Sequence, residues 1–118
     1  MATRALVGIE NADGTRTIIY VHYDGYPAGV GAALYRHYPT EADVRSLMNS
    51  GDHSTLDRAE PWEGAYGDGS DAVTTSDWPD SGQEWVYLWR DGQWFGASYD
   101  WTPTNPRPGV QLILLRTL

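Results

Sequence analysis

Ile18-Ile-Tyr-Val-His-Tyr-Asp-Gly-Tyr-Pro-Ala-Gly-Val-Gly31 decides how this chain folds. Its first half is β-branched and aromatic, with Ile19 and Val21 on one face and Ile18, Tyr20 and His22 on the other, which predicts a strand. Asp24-Gly25-Tyr26-Pro27 ends that strand, with Gly25 expected at positive φ and Pro27 fixing the exit. Val30, Ala33, Leu34, His37 and Tyr38 then recur at spacings of three and four, the buried side of a helix that starts near Val30. A strand end meeting a helix start presents a polar loop on a rigid scaffold, a common setting for a binding site.

Working outward, Thr3 to Glu10 reads as a strand with Ala5, Val7 and Ile9 on one face. Asn11-Ala12-Asp13-Gly14 is a hairpin loop leading into the strand Thr15 to His22. On the other side Pro39 stops the first helix, and Thr40-Glu41-Ala42-Asp43 forms a capping box for a second. Val44, Leu47 and Met48 are its buried side, and Gly51 is its natural C-terminal stop. Residues 52 to 82 are long, polar and acidic, with Trp62, Tyr66 and Trp78 expected to tack the segment to the body. Within it only Ala72-Val73-Thr74-Thr75 has β character. Glu84 to Arg90 and Gln93 to Tyr99 flank Asp91-Gly92, the strongest short-range hairpin signal in the chain. Trp85, Tyr87 and Trp89 share one face there, and Val86 and Leu88 the other. Thr102 to Pro108 is a proline-rich connector, and Val110 to Leu118 a final apolar strand.

The order β-β-α-α-loop-β-β-β predicts one α+β domain over residues 1–118, with the long acidic loop at about 52–82. Its sheet is expected to be mainly antiparallel, of about five strands, with the helical pair on one face. Apolar residues on both faces of most strands imply that the second face is covered too, by the long loop or by a second copy of the chain.

Composition narrows the partners. The formal charge is −8, and residues 52–80 hold eight acids against one arginine. So acidic a chain is a poor general binder of nucleic acid. With no cysteine, disulfides and thiolate metal sites are excluded. No apolar run approaches the roughly 20 residues of a membrane span, and no signal-peptide pattern opens the chain, so an intracellular location is expected.

Chemistry-bearing residues gather at the corner. His22 and Asp24, spaced i, i+2, fit a His–carboxylate pair or two metal ligands; the plainer alternative is that Asp24 caps the turn or helix and His22 packs beside it. Backbone N–H groups at Gly29, Val30 and Gly31 are placed to meet an anion such as phosphate, unless the corner is only a chain reversal. Arg4, Arg16 and Arg36 are the candidate cations for that anion. The face Trp85–Tyr87–Trp89 with Trp94 is core, an oligomer interface, or a stacking surface for a base. The acidic loop either is simply solvated or imitates the charge of a nucleic-acid backbone. No Ser-His-Asp order, Gly-x-Ser-x-Gly elbow or cysteine nucleophile supports covalent catalysis.

Thr3-Arg4-Ala5-Leu6-Val7-Gly8-Ile9-Glu10, Asp13-Gly14, Ile19-Tyr20-x-His22-x-Asp24-Gly25-Tyr26-Pro27, Val30-Gly31 and His37-Tyr38 together resemble a family of small acidic proteins. These are encoded mainly by phages and prophages, commonly of actinobacterial hosts, and mostly have no assigned function. The likeness extends through Gly51-Asp52 and Gly82-Gln83-Glu84; the segment from about Asp57 to Ser81 departs from it. The resemblance implies a phage accessory protein acting in the cytoplasm of the infected bacterial host, and by analogy one that counters host immunity. The expected activity is non-catalytic: binding and sequestering a small nucleotide-type signal, with no cofactor or metal, as a homo-oligomer. Arg4 and Arg36 would meet phosphate, His22 and Asp24 would hydrogen-bond, and Tyr26 or Trp89 would stack. The alternative is an acidic protein–protein inhibitor of a host nucleic-acid-binding defence complex, acting like an anti-CRISPR protein or nucleic-acid mimic. A third is a small-phosphoester hydrolase using His22, Asp24 and a metal.

Overall fold

In the computed structural model, described for residues 3–53, 56, 72–76, 84–98 and 113–114, the chain is α+β. Strands β1 (Ala5–Glu10) and β2 (Arg16–Val21) form the first hairpin. A π-type turn, Pro27–Gly31, leads directly into α1 (Ala32–His37), and α2 (Glu41–Ser50) follows. Strands β3 (Val73–Thr75), β4 (Trp85–Arg90), β5 (Gln93–Ser98) and β6 (Ile113–Leu114) complete one six-stranded sheet in the order β3-β2-β1-β4-β5-β6. Among the described strands, every pairing is antiparallel except β1 with β4, and an isolated parallel bridge joins Val21 to His53. The strand beyond the expected five is β3, the short β-branched run inside the acidic segment.

Alternation along the strands builds two cores. Ala5, Val7, Ile9, Ile19, Val21, Tyr87, Trp89 and Trp94 face the helices and pack with Val30, Leu34, Tyr38, Val44 and Leu47. Leu6, Ile18, Val86, Leu88 and Ala97 form the second cluster, with Tyr20 against it. These five are buried within the single chain, so covering that face does not require a second copy.

Both hairpins turn where glycine and aspartate direct them. Asp91 (φ 54°) and Gly92 (φ 75°) both take the left-handed conformation that the right-handed twist of β4–β5 demands. Trp89 is thereby paired with Trp94 and Arg90 with Gln93. A Cβ at Gly92 meets open space, so Gly92→Ala isolates the conformational cost; it is expected to lose about 1 kcal/mol in urea unfolding. In the first hairpin, the Thr15 hydroxyl and N–H donate to the Asp13 carboxylate and hold its pKa below the ordinary value.

Helix α2 begins at Thr40, whose Oγ1 accepts the Asp43 N–H at 3.2 Å, and ends at Gly51 (φ 80°). The expected reciprocal half of the capping box differs: the Asp43 carboxylate accepts from the Thr40 hydroxyl, at 2.8 Å. Thr40→Ala removes both bonds and is expected to cost about 1 kcal/mol, read by thermal unfolding.

The direction of each helix fixes where the side chains fall. Helix α1 runs from the corner toward the β4–β5 turn, where Trp94 Nε1 donates to the Tyr38 carbonyl at 2.8 Å. Helix α2 returns beside the first hairpin, with Arg45 reaching Asn11 at 2.9 Å. The chain then comes back to the end of β2. There His53 N–H donates to the Tyr20 carbonyl, and His22 N–H to the His53 carbonyl. Asp52 Oδ1 accepts the Tyr20 N–H at 2.8 Å. An acid counted toward the loop's charge thus closes the edge of β2.

Candidate functional site

The corner is built on the backbone of β1. Gly25 N–H donates to the Thr3 carbonyl at 2.8 Å, and the buried Tyr87 hydroxyl donates to the Gly25 carbonyl at 2.7 Å. The left-handed residue is Asp24 (φ 59°), not Gly25 as the sequence suggests. Aspartate tolerates that conformation. Gly25 is needed for space instead: a Cβ there would lie 2.8 Å from the Thr3 carbonyl oxygen and 2.8 Å from the Arg4 carbonyl carbon.

Helical winding also begins earlier than Val30. It starts at Pro27, and the Ala32 N–H reaches back to the Gly29 and Pro27 carbonyls. The chain reversal uses up the donors that an anion would need. Gly29 N–H goes to the Tyr26 carbonyl at 2.9 Å, and Val30 N–H to the Asp24 carbonyl at 2.8 Å. The expected phosphate cradle at Gly29–Gly31 is therefore largely spent on the corner itself.

His22 and Asp24 each find a tyrosine. Tyr20 Oη and His22 Nδ1 are 2.7 Å apart, and the His22 ring stands edge-on to Tyr23 at 4.5 Å. Tyr26 Oη donates to Asp24 Oδ1 at 3.3 Å. Asp24, Tyr23 and Tyr26 are exposed, and His22 is half-buried. Among the described residues, no group of three or more His, Asp or Glu side chains is placed to hold a metal ion.

The six residues proposed from sequence fall into two groups. Arg4, His22, Asp24 and Tyr26 share the corner end of the sheet. Arg4 precedes Ala5, which pairs with Val21, and its backbone is stitched to Glu84 and Trp85. Arg36 and Trp89 belong to the other end. Trp89 lies four residues along β4 from Trp85, about 13 Å at ~3.3 Å per residue, and Arg36 occupies the last turn of α1. Arg16, the third candidate cation, donates to the Ser76 carbonyl at 2.9 Å and ties β2 to β3.

At that far end the structure holds a pocket of ≈ 320 Å³, lined by Tyr35, Pro39, Trp89, Gly92, Gln93, Trp94 and Leu114. Trp89 and Trp94 are cross-strand partners on the helix-facing side. Their rings meet edge to face at 5.5 Å, and both are almost wholly buried. The aromatic face is thus core, with its margin opening on the pocket. Tyr35 stands at the rim, 58 % exposed, because it projects from α1 on the side away from Leu34. Gln93 adds an exposed amide with donors and an acceptor. Tyr35 and Gln93 escaped the sequence reading. Both are ordinary surface residues until α1 and the β4–β5 turn are brought together.

Among the described residues, no helix is long and apolar enough to cross a membrane. Most of the acidic segment at 52–82, and with it the proposed nucleic-acid mimicry, lies outside the described residues, as do Trp62, Tyr66, Trp78 and the 102–108 connector. Set beside known proteins, the chain matches no family model, no curated protein and no solved structure.

Proposed function

We propose that this chain is a non-catalytic binder that sequesters a small nucleotide-type molecule, and that the base sits in the pocket between α1 and the β4–β5 turn. The observation that carries this is the pocket itself: three aromatic side chains and one amide around a cavity at the small end of ligand-site sizes. Aromatic walls stack any base, worth about 1–3 kcal/mol each, and the Gln93 amide supplies an edge-reading donor and acceptor. Arg36, exposed and next to Tyr35 in sequence, supplies charge for a phosphate. The chain's overall charge of −8 disfavours a long polyanion far more than a single phosphate. The resemblance to phage-encoded proteins supplies the setting: counter-defence in the infected cell by removal of a nucleotide signal.

Calorimetry against nucleoside monophosphates and cyclic nucleotides tests the proposal. A member of the panel is expected to bind, with Tyr35→Ala weakening it about tenfold or more. Thermal unfolding of that variant should be unchanged, because the ring is mostly exposed. Silence across the panel, or binding indifferent to Tyr35→Ala, removes the pocket from consideration.

A further inference from the structure

The geometry points to the corner Tyr23–Pro27 as a docking surface for an arginine-bearing loop of a basic protein partner. The surface is separate from the pocket, which lies at the opposite end of the sheet. Its exposed carboxylate, Asp24, repels a phosphate. The N–H groups of Gly25, Gly29 and Val30 are already engaged, and the corner presents outward acceptors beside them. Those acceptors are the exposed Asp24 carboxylate and the hydroxyls of Tyr23 and Tyr26, residues that are 46 % and 42 % exposed.

Such a set fits a guanidinium. The cation lies over a tyrosine ring while its N–H fork meets the carboxylate, a pairing that ammonium groups satisfy less well. Among the described residues, the arginine at this end is Arg4, which is half-buried and already engaged. It therefore leaves the Tyr23–Asp24–Tyr26 side to an incoming cation.

Rigidity strengthens the case. Tyr20 fixes His22, His22 packs edge-on to Tyr23, and Tyr26 is tied to Asp24. The backbone beneath is pinned from Thr3 and from Tyr87. A surface already ordered loses little freedom on binding, and exposed tyrosines on such a surface are typical anchors of protein interfaces. The net charge of −8 favours the approach of a basic partner and disfavours an acidic one.

The test uses fluorescence anisotropy with a dye-labelled glycine-rich peptide bearing two arginines, and the same peptide with neutral citrulline in their place. The arginine peptide should bind about tenfold or more tighter than its citrulline counterpart. Tyr23→Ala and Asp24→Asn should each weaken it about fivefold or more, while Asp68→Asn combined with Asp71→Asn leaves it within about twofold. Asparagine also tolerates the left-handed conformation at position 24, so that variant keeps the turn. Equal binding of the two peptides overturns the inference, as does no binding up to millimolar peptide. So does a loss in the Asp68/Asp71 variant matching that of Asp24→Asn, which would mean attraction by bulk charge alone.

Discussion

Gly29→Ala is expected to destabilise the fold by on the order of 3 kcal/mol, although helix propensity alone predicts a gain of about 1 kcal/mol. The sign is decided by what surrounds the missing Cβ. Gly29 lies inside the π-type turn, and a Cβ there would overlap the Asp24 carbonyl oxygen and press on the Asp24 side chain. That carbonyl cannot swing aside cheaply. It accepts the Val30 N–H at 2.8 Å, from a residue already in the left-handed conformation. Val30 and Leu34, fully buried just beyond, anchor the start of α1 in the core. Relief of the overlap must therefore pull either the turn from β2 or the helix from the sheet. Urea unfolding of Gly29→Ala beside Gly92→Ala measures this directly, since Gly92 has strain but no crowding. A neutral or stabilising Gly29→Ala would mean that the corner is looser than its hydrogen bonds indicate.

What was legible in the sequence was whatever local chemistry dictates. Asp91-Gly92 demanded a two-residue turn, and the register of β4 and β5 followed from it. Thr40 and Gly51 marked the ends of α2, and period-2 alternation sorted Tyr87 from Leu88 onto opposite cores. Long-range packing left less of a trace. Gly25 reads as a positive-φ glycine because its sequence neighbours make a turn. The real constraint is the backbone of Thr3 and Arg4, about twenty residues away in sequence, against which it packs. The parallel pairing of β1 with β4 leaves no local trace, since each strand also belongs to an ordinary antiparallel hairpin.

The six candidate residues fall at two ends of the sheet, which residue type alone does not reveal. Stacking by Trp89 and hydrogen bonding by Asp24 were combined because each residue type suited a nucleotide, but the strand length between Trp85 and Trp89 separates them. The N–H groups of Gly29 and Val30 looked available because a helix start leaves donors unpaired. A π-type turn folding back on its own corner consumes them, and its i, i+5 closure has no residue signature comparable to Asp-Gly in a hairpin. The pocket at the far end depends on α1 and the β4–β5 turn coming together so that Tyr35 and Gln93 line one cavity. Packing decides that, and periodicity does not.

Tyr87→Phe should cost about 1–3 kcal/mol at neutral pH, the range for stranding a buried carbonyl without a donor. The Tyr87 hydroxyl is the bond that fastens the corner to the centre of the sheet. It donates to the Gly25 carbonyl at 2.7 Å across 62 residues of sequence, from a side chain with no solvent exposure. Phenylalanine keeps the ring and its packing, so the loss reports the hydroxyl alone. Alkaline pH supplies a second signature. Burial pushes the Tyr87 phenol well above its ordinary value, so the folded chain keeps the proton where the unfolded chain releases it. The contribution of this group is therefore complete below about pH 10 and declines as pH rises further, by about 1.4 kcal/mol per pH unit. The variant has no such proton to lose, and the other tyrosines are common to both proteins. The stability gap between wild type and Tyr87→Phe should accordingly be constant from neutral pH to about pH 9 and narrow by about 1 kcal/mol near pH 11. Urea unfolding of both proteins across that range provides the measurement. A gap that stays level through pH 11, or a variant as stable as wild type at pH 7, would show that the hydroxyl does not hold the corner.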